Sequence, residues 1–324
     1  MKGRVMNEAS EKYPAPASRP VVFGEVLFDD FEGGPTVIGG AAFNLAWNLE
    51  SLGLAPLLIS RVGADELGGR VLQIMTSYGM DTAGIQLDEK LPTGTVSVRV
   101  SEGQPDFTIN DHQAYDAIDA AEGCAAMSGF DVSLLYHGSL ALRGERSRGA
   151  LEELATVRGD KIFVDVNLRR PWWQKDSVLG DLSRARWAKI NEEELSALFE
   201  VGDTSQEGLL KAADDFRREL GLELLLLTCG AAGAAMIREG REAIFQSAVP
   251  VDEVADTVGA GDAITAVTML GLTRGWDGAK TLGRAVEFAA SICRLEGATT
   301  DRREHYDGYL ESWAQADLPG LLRD

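Results

Sequence analysis

From Val21 onward, short apolar runs alternate with stretches whose apolar residues recur at helical spacing. The runs "VVFGEVLF", "PLLISRVG", "VSLLYHG", "KIFVDVN", "WAKIN" and "LELLLLTCG" are brief and almost continuously apolar, as strands buried on both faces are. Between them, "AAFNLAWNLESLG", "LGGRVLQIMTSYG", "RGALEELATVRG", "EEELSALFEV" and "EGLLKAADDFRREL" read as amphipathic helices. Strands alternating with helices predict a mostly parallel sheet covered on both sides. The C-terminal third turns more helical, in "GDAITAVTMLGLTRG" and "GAKTLGRAVEFAASICRLEG", and no repeat of fixed period is visible.

One segment breaks the alternation. Residues 93–116, "TGTVSVRVSEGQPDFTINDHQAYD", predict strands and turns without a helix. Such an insertion is either an edge hairpin or a lid over a ligand cleft. Lids keep water from reacting groups, and a lid is the expectation carried forward.

Composition narrows the class. The chain has 324 residues, 45% of them hydrophobic and 25% charged, enough for a large core. A net charge of −20 argues against nucleic acid or an anionic membrane as partner, but leaves room for a nucleotide held by local donors. Cys124, Cys229 and Cys293 are few and widely spaced, and His112, His137 and His305 are scattered, so no zinc-site spacing exists. No run approaches the ~18 apolar residues of a membrane helix. Residues 1–20 lack the apolar core of a secretory signal and read as a loose tail. The expectation is a soluble, cytoplasmic protein.

Ligands of open α/β sheets collect at the carboxyl ends of strands. Asp29, Asn167, Arg169, Asn191 and Thr228 all fall at such ends. A further carboxylate, Asp262, stands directly behind the turn Gly259-Ala260-Gly261, which opens a helix in "ADTVGAGDAITAVTML". Small residues let backbone N–H groups converge, and the helix dipole favours an anion there. An Asp beside an anion site either caps its own helix or acts on something brought near the anion. Known nucleotide motifs do not fit. The chain has no Gly-Lys pair for GxxxxGK[ST], Ile264 stands where GxGxxG needs its third Gly, and GxSxG is absent.

The chain resembles the ribokinase-like, or PfkB, carbohydrate kinases. "GGAAFNLAWNLESLGLAPLLISRVG" (39–63) keeps that family's Gly39-Gly40, Asn44, Ala46, Gly53 and Gly63, and "DTVGAGD" (256–262) is similar to its phosphate-end loop. "DVNLR" (165–169), "NEEE" (191–194) and "TCGAAG" (228–233) resemble its DxNxR, NxxE and TxGxxG elements, in order. Together they span residues 21 to about 300. Ile264 and Val267 replace the family's frequent Phe and Gly or Ala, at positions that concern helix packing.

The resemblance implies a three-layer α/β/α domain over about 21–315, a β lid from about 26–37 and 91–115, and a C-terminal tail at 316–324. It implies transfer of the γ-phosphoryl of Mg-ATP to a primary hydroxyl of a small sugar. Asp262 would be the base, and the N–H groups of Gly259, Ala260 and Gly261 would hold the phosphoryl. Asp29, Gly39, Gly40, Asn44 and Arg169 would bind the sugar; for Arg169 a structural salt bridge is the alternative. Asn191, Thr228, Gly230 and Gly233 would bind the nucleotide, the adenine lying near Ala289 to Gly297. Glu194, with Asn191, would order Mg²⁺ largely through water, although acidic residues also suit a first helical turn. Asp256 stands where the family can hold a monovalent cation such as K⁺. "GEVLFD" and "PTGTVSV" look most like the fructokinase branch, with ribose or 2-keto-3-deoxygluconate as alternative substrates. A homodimer through the lid, and a non-catalytic regulator that kept the fold, complete the expectations.

Overall fold

The structure is a computed structural model and describes residues 18–31, 34–101, 104–158 and 161–318. Most of the tail expected at 1–20, residues 32–33 and 102–103 of the expected lid, and 319–324 of the expected C-terminal tail lie outside the described residues.

In chain order the strands are β1 (Ser18–Phe23), β2 (Leu27–Phe31), β3 (Thr36–Gly39), β4 (Leu57–Gly63), β5 (Ile85–Asp88), β6 (Gly94–Ser101), β7 (Gln104–Ile109), β8 (Asp131–His137), β9 (Ile162–Asp165), β10 (Trp187–Asn191), β11 (Leu224–Thr228), β12 (Gly233–Arg238) and β13 (Ile244–Ser247). The helices are α1 (Ala41–Ser51), α2 (Glu66–Tyr78), α3 (Ala120–Ala126), α4 (Glu145–Arg158), α5 (Lys175–Leu182), α6 (Glu192–Leu198), α7 (Gln206–Glu219), α8 (Ala260–Arg274), α9 (Gly278–Ile292) and α10 (Arg303–Asp317).

Nine strands form one sheet in the order β13-β12-β11-β10-β9-β8-β1-β4-β5. It is parallel except for the antiparallel pairs at β11–β12–β13. Strand alternation fills both faces: Val22, Tyr136, Phe163 and Leu224 pack with α1, α2, α8, α9 and α10, while Val164, Ile190 and Leu225 pack with α5, α6 and α7. The expected ribokinase-like α/β architecture is present. A separate sheet, ordered β3-β2-β6-β7, stands where the lid was expected. Its Leu27, Val96 and Val98 join Tyr115, Ile118 and Leu142 of the main body in one apolar cluster, which anchors it.

The run "VVFGEVLF", expected as one strand, is two strands in different sheets. At Gly24 a Cβ would lie 2.6 Å from that of Ala42, so only glycine lets the chain pass α1 here before it enters the second sheet. Both halves are apolar because each is buried in its own sheet. Asp29, expected at a strand end, therefore sits within β2, opposite Val37 and Val96. Residues 110–115 leave the second sheet, and Tyr115 is buried against the main body. Helix α10, which buries Tyr306 and Trp313, takes in residues 316 and 317 of the expected tail. Asp317 pairs there with Arg284 and Lys280 at 2.9 Å each. Among the described residues no helix is long and apolar enough to cross a membrane.

Candidate active site

A cleft of about 880 Å³ opens between the second sheet and the carboxyl ends of β9 and β10. Leu27, Asp29, Val96, Phe107 and Ile109 line it from the second sheet; Asn167, Arg169, Lys189 and Asn191 line it from the strand ends, with the start of α8 as floor. The volume suits small molecules, which such sheets receive at this edge.

The floor is set by backbone geometry. Gly259 precedes α8 at φ 81°, a left-handed conformation, and a Cβ there would lie 2.5 Å from the Cα of Ala298. Among the described residues the N–H groups of Gly259 and Gly261 donate to no protein group, and both residues line the cleft. Ala260 differs from expectation: its N–H turns to the carbonyl of Thr257 at 3.3 Å, and it does not line the cleft. Asp262 lies in the first turn of α8 but caps nothing, since no side chain caps this helix. Its Oδ2 instead accepts a hydrogen bond from Asn44 Nδ2 at 2.9 Å. The carboxylate edges the cleft within dense protein. That desolvation, with the charge of Asp165, pushes its pKa up to about 7, against the opposing pull of Asn44 and Lys189.

Around Asn44 the chain builds a polar pocket. Gly40, at φ 102°, begins α1; a Cβ there would stand 2.8 Å from the carbonyl oxygen of Glu25. A Cβ on Gly39 would stand 3.3 Å from Asp29 Oδ2, so the missing side chain leaves space for that carboxylate. Asn44 is buried, and its Oδ1 has no partner among the described residues. Burial raises the pKa of Asp29, with Arg169 opposing. Arg169 forms no ion pair among the described residues, so the structural salt bridge considered for it is not made there. Gly39 shapes this pocket without lining the cleft.

Asn191 and Glu194 form a reciprocal cap on α6. Asn191 Oδ1 accepts from Glu194 N at 2.8 Å, and Glu194 Oε2 accepts from Asn191 N at 2.9 Å. Glu194 Oε1 also accepts from Leu168 N at 2.9 Å, so each carboxylate oxygen already holds one N–H. One lone pair per oxygen remains, which fits orienting a hydrated Mg²⁺ through water rather than ligating it directly. Thr228 lies opposite Asn191 in the sheet. Gly230 and Gly233 form the turn into β12, and neither they nor Thr228 line the cleft. Asp256 Oδ1 accepts from Val258 N at 2.9 Å within its own exposed loop; Thr257 and Val258 of that loop line the cleft, Asp256 itself does not.

Three charged residues at the site were given no role from the sequence, although Asp165 opens "DVNLR" and Glu25 lies in "GEVLFD". Glu25 lies beneath Gly40, its Oε1 accepting from Ala41 N at 3.1 Å and its Oε2 without a partner among the described residues, with burial raising its pKa. Lys189 and Asp165 form a buried ion pair of 2.8 Å under the floor. The available signals were the lysine inside the apolar run "WAKIN" and the aspartate that opens "DVNLR". The whole arrangement can hold an anion at the two free N–H groups and take a proton from a hydroxyl beside it.

The model of the pfkB family carbohydrate kinases matches residues 33–305. A fructokinase of Klebsiella pneumoniae is 32% identical over 244 residues, 72% of this chain and 76% of its own. An aminoimidazole riboside kinase of Salmonella typhimurium is 27% identical over 276 residues, 81% of this chain and 83% of its own. The crystal structure of a sugar kinase of Pyrococcus horikoshii in complex with ATP is similar at a TM-score of 0.72 and 26% identity, covering 86% of this chain and 93% of that one.

Proposed function

Because this chain belongs to the pfkB family of carbohydrate kinases and is an ATP-dependent sugar kinase, we propose that it phosphorylates fructose on its 6-hydroxyl, with Asp262 as general base. The observation that carries the role of Asp262 is its bond to Asn44, which leaves it uncommitted to its own helix and facing the cleft beside two free N–H groups. In this reading Asp29, Gly40, Asn44 and Arg169 hold the sugar so that its primary hydroxyl reaches Asp262. That carboxylate takes the hydroxyl proton as the oxygen forms its bond to the γ-phosphorus. The bond to the bridging oxygen breaks, and ADP leaves with the electron pair. Gly259 and Gly261 hold the moving phosphoryl. Magnesium, when bound, supplies charge neutralisation on the phosphates; Glu194 and Asn191 would orient its water, and Thr228, Gly230 and Gly233 would border the nucleotide.

The choice of fructose is supported by the Klebsiella relative and by "GEVLFD" and "PTGTVSV". Ribose and 2-keto-3-deoxygluconate are the substrates to set beside it. The test is ADP release over a panel of sugars and sugar acids: the highest kcat/KM with fructose is expected, and a higher value with another acceptor overturns the substrate. ATP binding without turnover on any of them would favour a non-catalytic regulator instead. We further assign Asp256 to a K⁺-like ion and the second sheet to a cytoplasmic homodimer, in which Val37 and Phe107, exposed on that sheet, would be covered. Equal rates in potassium and tetramethylammonium salts would remove the ion, and a monomer by light scattering would remove the dimer.

A further inference from the structure

Beneath the glycine turn the structure holds a lysine where a hydrophobic residue would pack more cheaply. Lys189 lies on β10 with a side chain 9% exposed, and its Nζ donates to Asp165 Oδ1 at 2.8 Å. Asp165 on β9 is itself 1% exposed. Replacing a buried ion pair by apolar residues is often neutral or stabilising, so the pair is not explained by stability alone. Its placement is specific. A Cβ on Gly261 would stand 3.2 Å from Lys189 Nζ, so the ammonium lies directly against the turn that has no side chain to separate them. From the other side, the Thr265 hydroxyl lies 3.1 Å from Asp165 Oδ2 and 2.9 Å from the carbonyl oxygen of Gly261. The pair thus connects two central strands to the first turn of α8. Asp165 is the one hydrogen-bond partner that Nζ has among the described residues, and Lys189 also lines the cleft with Asp262.

We propose that Lys189 is a positioning residue for phosphoryl transfer: its ammonium, clamped by Asp165 under Gly261, fixes the turn and offsets the negative charge that gathers there during transfer. The proposal rests on the reading of that turn as the anion site. Carboxylates crowd the site, and Asp165, Glu194 and Asp262 together keep Lys189 protonated against its burial. An incoming phosphoryl adds to that negative charge. A fixed cation that need not reorganise counts for most at that moment.

Lys189→Met alone leaves Asp165 buried and unpaired, which destabilises for reasons unrelated to transfer. The deciding variant is Lys189→Met with Asp165→Asn, a neutral pair of similar shape that can still accept from Thr265. It should melt near wild type and bind ADP within about threefold, while kcat on the best sugar of the panel falls roughly 10²-fold with little change in sugar KM. Calorimetry gives a second readout. Adding aluminium fluoride and sugar to ADP should tighten binding in wild type, and the double variant should lose about 10-fold or more of that gain. A double variant with wild-type kcat and an undiminished fluoride gain overturns the proposal. Should that variant fold poorly, Lys189→Arg and Lys189→Met decide the matter: the charge-keeping Arg should retain more kcat, and equal losses overturn the idea. Failure of wild type to turn over any sugar would count against the sugar-kinase assignment, a separate outcome.

Discussion

Gly259 and Gly230 both hold left-handed backbone, at φ 81° and 49°, yet their surroundings differ completely. A side chain on Gly259 would run into the Cα and carbonyl oxygen of Ala298, 2.5 Å away. A Cβ on Gly230 would meet nothing within 4 Å among the described residues. The first turn is wedged between the protein body and Lys189, so its two free N–H groups have little freedom to move. The second is held by its own hairpin: Cys229 N bonds to the carbonyl of Gly233 at 2.8 Å, and Ala232 N to that of Cys229 at 2.9 Å. Its crowded glycine is Gly233, where a Cβ would lie 2.1 Å from the carbonyl oxygen of Gln246 across the β12–β13 pair. The two turns are thus held differently: the one at the cleft floor by packing against distant segments at Gly259 and Gly261, the other by hydrogen bonds and strand packing within its own hairpin.

The largest expected effect lies at that floor. Asp262→Asn keeps the shape and the contact with Asn44 but cannot accept the proton, so kcat should fall ~10²–10⁴-fold with ADP affinity nearly unchanged. An active Asn variant would remove Asp262 as base and with it the distinction between the two turns. In wild type, a base with a pKa pushed up to about 7 is protonated below that pH, so the rate should fall with decreasing pH in the acidic range. The same shift has a stability consequence. A carboxyl whose pKa rises on folding, from an ordinary value near ~4, stabilises the fold when protonated, and that contribution is lost as pH rises through about 7. Asp262→Asn should therefore melt above wild type at pH 8, with the gain shrinking toward pH 5.

Gly259→Ala comes next. Left-handed backbone costs a non-glycine residue ~1–2 kcal/mol, and the clash with Ala298 is with main chain, which cannot swing away as a side-chain tip can. The turn has to shift, and a displacement of about 1 Å at such a site can cost ~10²-fold in rate. Steady-state kinetics should show that loss chiefly in kcat. A variant with normal kcat would mean that the turn tolerates movement and is not the phosphoryl holder.

Much of this contrast was legible in the sequence. The turn Gly259-Ala260-Gly261 and the carboxylate behind it stand out by residue type and spacing, because tight turns require small residues locally, whereas Asn44 and the Gly230–Gly233 turn were singled out only by the resemblance to the carbohydrate kinases. The alternation of strands and helices gave the layered fold for the same local reason. What stayed hidden depends on contacts between distant segments. Nothing near Lys189 says that Asp165 will face it from the neighbouring strand, or that Gly261 will sit above it. Glu25 reads as one charge in an apolar run until the chain is seen to bend at Gly24 and carry it beneath Gly40. The bend itself left no mark in the periodicity, since the strands on either side are both buried.

Asn44→Ala sharpens the electrostatic side of the comparison. The hydrogen bond from Asn44 favours the ionised form of Asp262, so its loss raises that pKa further. The acidic limb of the kcat profile should move to higher pH, with the deficit greater at pH 7 than at pH 9. If Asn44 holds the sugar as proposed, its loss should also raise the KM for sugar, by about tenfold for one hydrogen bond. An unshifted limb with a raised KM would make Asn44 a sugar contact only.

Gly230→Ala is the smallest effect and the counterpart of Gly259→Ala. The new methyl group has open space, so the cost is that of left-handed backbone alone, ~1 kcal/mol. The hairpin bonds at Cys229 and Gly233 hold the turn on either side of it, so its position should change little. Melting should drop by a few degrees at most, kcat should stay within about twofold, and KM for ATP should rise only about two- to threefold. Its value is as a matched control: the same substitution, at the same backbone sign, at a glycine with no neighbour to strike among the described residues. If Gly230→Ala lowered kcat as much as Gly259→Ala, loss of left-handed freedom alone would account for both. The packing of Gly259 against Ala298 would then have no special part in transfer.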